Sequence, residues 1–295
     1  MRMRRQSGFT LVEMIIVIVI TGIIGGIVAM FLRAPVQGYV DSARRAELTD
    51  IADTALRRVS RDLRLALPNS VRRTTNAGSV YLEFIPTIGG GRYRAGEAGA
   101  GVAQCGSLAA DVLDFSAADT CFQVLGQMPL PPVVAGDQVV VYNLGIPGAD
   151  AYAGNTAATH NRRAVSGVGP SSITMTSTAA LPFDSCAFNA GGFVVGGCRF
   201  QVVQTPVTYV CTPVAGGAGG TLMRWQGYPI QPAQPTALPA GGTSATLATN
   251  VSACDFTYAG NVVAERSGLV TMHLTITEQG ESVSLYGATH VSNVP

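Results

Sequence analysis

The sequence predicts an α+β chain: one long N-terminal helix, with a membrane-spanning half and an amphipathic half, packed on an antiparallel sheet of a β-rich, loop-rich C-terminal domain. Three observations carry this. Residues 9–32 form an apolar run in which the only formally charged side chain is Glu13. Apolar residues then recur at intervals of three and four from Leu48 to Leu63. From residue 70 onward, short β-rich runs alternate with stretches of Gly, Pro and Ser.

The apolar run comes first. A helix needs roughly 20 residues to cross the hydrocarbon core, and an ordinary secretory signal has an apolar core of only about 7–15. Residues 9–32 exceed the second and meet the first. Arg2, Arg4 and Arg5 precede them, and Arg beside a first membrane segment favours the cytoplasmic side. The rest of the chain is therefore expected across the membrane. Glu13 is the anomaly, because a carboxylate in a membrane helix costs on the order of 2.5–3.5 kcal/mol. No Lys or Arg lies one helical turn away within the run. Glu13 then either stays wet at the interface or finds a cation on another chain. A free α-amine, made by a cut between Gly8 and Phe9, is the best candidate. Gly22, Gly25 and Gly26 suit close helix packing as well as local unwinding.

The stretch "AELTDIADTALRRVSRDLRLALP" continues the helix with one buried stripe: Leu48, Ile51, Ala52, Ala55, Val59 and Leu63. The helix is expected over 9–67, because the residue before Pro68 avoids the helical region. Strands are expected at "VYLEFI" (80–85), "DVLDF" (111–115), "DQVVVYNL" (137–144), "RFQVVQ" (199–204) and "VTYVC" (207–211). In "LVTMHLTIT", Val270, Met272, Leu274 and Ile276 alternate with polar residues. "EQGE" should turn the chain into a hairpin. "IGGGRYRAGEAGAG", "VAGGAGG" and "YPIQPAQPTALP" read as surface loops.

Charged residues make up 13% of the chain, and the net charge is +1 with no lysine at all. Removing residues 1–8 takes away three arginines and leaves the side-chain balance at about −2, which argues against nucleic acid as a partner. Six cysteines follow the membrane run: Cys105, Cys121, Cys186, Cys198, Cys211 and Cys254. An even number in an exported domain reads as disulfides. Cys105–Cys121 and Cys186–Cys198 would close short local loops, and Cys211–Cys254 would remain, although other pairings stay open.

No catalytic constellation emerges, no cofactor motif is present, and no metal site is expected. His273 and His290 sit on polar positions of the expected hairpin, where an exposed pair is the simpler reading. Asp111, Asp114 and Asp119 suggest a calcium loop only weakly against solvated loop acids. "GGGRYRAG" does not fit a dinucleotide or phosphate loop.

"RRQSGFTLVEMIIVIVITGII" resembles the type IV prepilin signature: a basic leader ending in Gly, then Phe, then a Thr-Leu-Val-Glu head on an apolar helix. The resemblance implies a leader of residues 1–8, removed by a prepilin peptidase that methylates Phe9. It implies that Glu13 pairs with the amino terminus of a neighbouring subunit. It also implies a transmembrane segment at 9–32, a type IV pilin-like fold and an extracytoplasmic domain at 68–295. Partners would be the peptidase, the major pilin, other minor pilins and the inner membrane assembly platform. The chain would sit in the inner membrane before assembly and on the pilus afterwards. "PVTYVC", "TLMRW", "NVSACDFTY" and the last 29 residues resemble minor pilins of the mannose-sensitive haemagglutinin pilus, O type. J-type pseudopilins of type II secretion are the neighbouring alternative. A membrane-anchored exported binding domain is a third reading, from a different class.

Overall fold

The computed structural model describes residues 8–96, 103–155, 157–188, 194–259 and 266–295. The chain divides into two compact units, Met1–Leu48 and Thr49–Pro295.

Helix α1 runs from Leu11 to Leu63 with Pro35 inside it. Its part in the first unit is exposed along the apolar run, and a Cβ added at Gly22, Gly25 or Gly26 would meet nothing within 4 Å. The Thr21 hydroxyl donates back to the Val17 carbonyl at 2.6 Å, which satisfies a polar group in an apolar stretch. Among the described residues this is the one helix long and apolar enough to cross a membrane.

The second unit holds the end of α1 and all the strands. The hairpin β1 (Arg72–Asn76) and β2 (Ser79–Phe84) comes first. There follow β3 (Thr87–Tyr93), β4 (Cys121–Leu125), β5 (Gln138–Val140), β6 (Arg162–Val168), β7 (Ser172–Thr176), β8 (Ala187–Phe188), β9 (Val194–Gly196) and β10 (Arg199–Val203). The chain ends with β11 (Val207–Thr212), β12 (Thr221–Gln226), β13 (Thr243–Thr249), β14 (Val251–Ala259), β15 (Ser267–Glu278) and β16 (Glu281–Ser292).

These strands build three main bodies. One sheet has the order β1-β2-β11-β12-β13, and a second has the order β14-β15-β16. Between β2 and β11 the chain leaves the first sheet and forms a closed barrel, β10-β3-β4-β7-β6-β5. The barrel has its own core, in which Phe122 meets Tyr93 and Phe200 edge-on at 6.5 and 5.3 Å. A second small core, with Leu67, Ile85, Val140, Tyr152 and Val203, seats the barrel on the rest of the unit.

From Thr49 onward, α1 buries Ala52, Ala55, Leu56, Val59 and Leu63. Leu56 joins the expected stripe, and its side chain lies 3.8 Å from where a Cβ on Gly287 of β16 would stand. Asp62 fastens the last turn to the first sheet: its Oδ2 accepts from Tyr209 Oη and Arg224 Nε, each at 2.8 Å. The helix ends at Leu63, four residues before the expected limit. Leu65 and Ala66 tighten to i→i+3 bonds. The Leu67 amide then donates to Ile85 at 2.7 Å, so the segment is already held by the sheet.

β15 and β16 form the expected hairpin, and Val270, Met272, Leu274 and Ile276 are all buried. Gln279 and Gly280 make its two-residue turn with φ of +49° and +85°, the primed geometry that matches strand twist. Two expectations fail. "DVLDF" is not a strand. Asp111 is fully buried and accepts the Gln104 and Cys105 amides, which holds the segment as a turn. The glycines of "IGGGRY" are not in a loop but in β3, where a Cβ on Gly90 would stand 2.8 Å from the Phe200 carbonyl. "VAGGAGG" is a loop, yet a packed one: Gly217 has φ +88°, and a Cβ there would collide with the Thr277 carbonyl.

Disulfides join Cys105–Cys121 and Cys186–Cys198, which close the short loops expected, and Cys211–Cys254, the pair left over. The last ties β11 to β14 and so links the two open sheets.

Candidate functional site

The candidate site is the head of α1. Gly8 and Phe9 precede the helix and are exposed, Phe9 at 82%. Helical geometry begins at Leu11, which makes Thr10 the N-cap and Glu13 the third helical residue. Their contacts are reciprocal. The Glu13 amide donates to Thr10 Oγ1 at 3.4 Å, and the Thr10 amide donates to Glu13 Oε2 at 3.3 Å. The Thr10 hydroxyl also approaches Oε2, at 3.4 Å. This is a capping box: two of the amides a helix start leaves orphaned are satisfied by two side chains. A carboxylate here also faces the positive end of the helix dipole.

An intrachain partner for Glu13 therefore exists, contrary to the sequence expectation, but it is neutral. The spacing Thr10-x-x-Glu13, a Thr followed three residues later by Glu, is the sequence signal for it. Both Thr10 contacts end on Oε2, and among the described residues Oε1 meets no donor. Chemically, the arrangement holds one carboxylate four residues beyond a Gly8–Phe9 peptide bond that nothing covers among the described residues.

The other residues singled out by sequence do not converge. His273 pairs in register with Tyr286, its ring stacked at 4.4 Å, while His290 lies opposite Leu269, so the two histidines do not face each other. His160 Nδ1 accepts the Ala157 amide at 3.2 Å within its own loop. Asp114 accepts the Ser116 amide and hydroxyl at 2.7 and 2.6 Å, and Asp119 accepts the amides of Asp114 and Cys121. With Asp111 turned to Gln104 and Cys105, the three acids serve loop backbone and share no centre. No group of three potential metal ligands occurs among the described residues.

The most polar interior lies elsewhere, and sequence reading missed it. Glu83 on β2 is fully buried. Its Oε2 accepts from Arg72 Nε at 2.6 Å and its Oε1 from Tyr228 Oη at 2.9 Å. Tyr228 Oη also contacts Thr208 Oγ1 at 2.5 Å. Arg72 donates to the Pro232 and Gln231 carbonyls at 2.7 and 3.0 Å, and its guanidinium lies 3.5 Å over the Tyr152 ring. Burial pushes the Glu83 carboxyl above its ordinary value, and the hydrogen bond and charge of Arg72 only partly oppose it. The cluster clasps the proline-rich loop and the barrel to the first sheet. Arg–Glu spacing across a hairpin was its only trace in the sequence.

Three comparisons bear on the head of the helix. A family model described as the prokaryotic N-terminal methylation motif matches residues 3–29. No curated protein and no solved structure matches the chain. The matched segment contains Gly8, Phe9, Thr10 and Glu13, and its motif is that of a type IV pilin or pseudopilin-type substrate, borne on an apolar helix suited to anchoring in a membrane.

Proposed function

We propose that the chain is a minor pilin, an assembly subunit that initiates or caps a type IV pilus of the mannose-sensitive haemagglutinin type. The observation that carries this is the methylation motif over residues 3–29, together with a Glu13 carboxylate held at the helix head. Residues 1–8 are the leader, residues 9–32 span the inner membrane, and the domain from 68 onward lies in the periplasm until assembly. Glu13 then meets the methylated amine of Phe9 on a neighbouring subunit, through the oxygen that Thr10 leaves open. The pilus type rests on the C-terminal segment resemblance. The J-type pseudopilin reading shares the same processing and differs in partners.

The test is mass spectrometry of the amino terminus in cells that contain a prepilin peptidase. The expected result is a chain beginning at N-methylated Phe9. An intact Met1 terminus overturns the reading. Copurification then separates pilus components from secretion components.

A further inference from the structure

Between residues 87 and 204 the chain has five arginines and no lysine. Two of them, Arg162 and Arg163, are buried and donate to loop carbonyls. The other three, Arg92, Arg94 and Arg199, lie together on the outside of the barrel. Arg92 and Arg199 are direct partners across the β3–β10 ladder, and both are exposed. Arg94 is two residues further on the same face of the chain, half-buried, with its Nε on Gln123 Oε1 at 2.6 Å. Arg57, Arg58, Arg61, Arg72, Arg73 and Arg224 are each held beside an acid, whereas Arg92, Arg94 and Arg199 have no acid within ion-pair distance among the described residues.

Like charges directly opposite on an antiparallel ladder destabilise it, at Cβ separations of about 4.5–5.5 Å. Water screens part of that cost for exposed side chains. Screening does not explain why every exposed cation of the barrel stands in one place. Beside them the backbone is bare. A shallow depression of about 310 Å³ is lined by Gly90, Gly91, Arg92, Arg199, Phe200 and Gln201. A Cβ at Gly90 would collide with the Phe200 carbonyl, so the strand carries no side chain at that position.

We propose that this face binds the acidic groups of a polysaccharide, with Arg92 and Arg199 converging on one carboxylate or sulfate. Guanidinium forks match such oxyanions in bidentate geometry. The depression is open and shallow, which suits a charged group on a chain lying across the surface, unlike the enclosed pocket of a small ligand. Single-stranded nucleic acid fits less well. It needs aromatic faces for stacking, and the nearest rings, Tyr93 and Phe200, are buried inside the barrel. The site does not depend on the assembly reading: it belongs to the barrel, far in sequence from Gly8 and Glu13.

The test uses the full chain purified in detergent micelles. Titrants are oligogalacturonate for carboxylates, heparin oligosaccharide for sulfates, neutral dextran oligosaccharide, oligothymidylate and inorganic phosphate. One or both acidic oligosaccharides should bind, salt should weaken binding, and dextran should not bind. The double variant Arg92→Ala/Arg199→Ala should lose at least tenfold in affinity. Arg92→Lys/Arg199→Lys should recover only part of it, since charge returns without the fork. Both side chains are exposed, and the Lys pair remains a test should the Ala pair fold poorly. Equal affinity in wild type and variants, or no binding of either acidic oligosaccharide, overturns the site. Tighter binding of oligothymidylate, or phosphate binding as tight as the oligosaccharide, overturns the assignment to a polysaccharide.

Discussion

Glu13 has two roles that ordinary substitutions confound. It caps its own helix through Thr10, and in the proposed assembly it meets a neighbour's amine. Leucine removes both. Glutamine keeps the capping box, because an amide oxygen serves the N-cap amide as well as a carboxylate does, but it removes the charge. Losing a cap costs about 0.5–2 kcal/mol. An unpaired ion in the bilayer costs a few kcal/mol, and each 1.4 kcal/mol is about tenfold in an equilibrium. The prediction is that Glu13→Gln is processed normally yet recovers partner pilins from membranes as poorly as Glu13→Leu. Recovery equal to wild type would make Glu13 a helix cap alone. Glu83 allows a second residue-scale prediction, on pH. Burial holds its folded pKa above the unfolded value of 4.5, against the pull of Arg72. A carboxyl that keeps its proton better when folded favours the folded state below that value, and the contribution is lost as pH rises through the folded pKa. Urea unfolding from pH 4 to 8 should therefore show wild type losing ground to Glu83→Gln as pH rises. The opposite slope would mean that Arg72 dominates. Beyond Arg72 across the hairpin, no sign in the sequence marked Glu83 for burial, since its other neighbours Tyr228 and Thr208 come from distant segments.

At the scale of elements, the hairpin of β15 and β16 was the most legible part. Its period-two alternation is a local property, and its turn residues follow from backbone geometry alone. The helix was legible along its length but not at its end, because Ile85 captures the chain at Leu67 before Pro68 can act. "DVLDF" shows the converse error: its apolar residues point into a core, but Asp111 fixes a turn through amides that composition cannot reveal. The join between α1 and the first sheet rests on Asp62, whose side chain is 13% exposed beside an Arg224 that is 14% exposed. Removing the acid strands a guanidinium and the Tyr209 hydroxyl together, so Asp62→Ala should cost about 2–3 kcal/mol in urea unfolding. Arg224→Ala should cost less, since Tyr209 keeps its acceptor. The disulfides act at the same scale, each contributing typically about 2–4 kcal/mol. Thiol labelling of denatured, unreduced protein should find no free cysteine, and labelling of four or more would contradict the framework.

For the whole molecule, the sequence disclosed a helix followed by strands but not that a barrel interrupts the first sheet. Its strands read like any others, and only the pairing of β2 with β11, across more than a hundred residues, reveals the insertion. That pairing sets up a test of how separable the barrel is. Phe84 and Val207 are direct partners, so the two ends of the insertion lie side by side and a short turn could join them. The interface argues the other way. Leu67 and Ile85 are buried against Val140, Tyr152 and Val203. Asn143 Nδ2 donates to the Pro68 carbonyl at 2.6 Å, and Tyr152 Oη donates to the Ser70 carbonyl at 3.0 Å. Replacing residues 86–205 by a two-residue turn should therefore leave a chain that is still cut after Gly8, since the leader and helix head are untouched. It should still form Cys211–Cys254, because β11 and β14 lie outside the excised segment. It should, however, bind a hydrophobic dye and unfold at lower urea than the parent, because Leu67, Ile85 and Ile230 lose their cover. Amino-terminal mass spectrometry, thiol labelling and dye fluorescence read these three outcomes separately. A free Cys211 and Cys254 in the excised chain would show that the barrel is needed to bring the two open sheets together, and is more than a module seated on them.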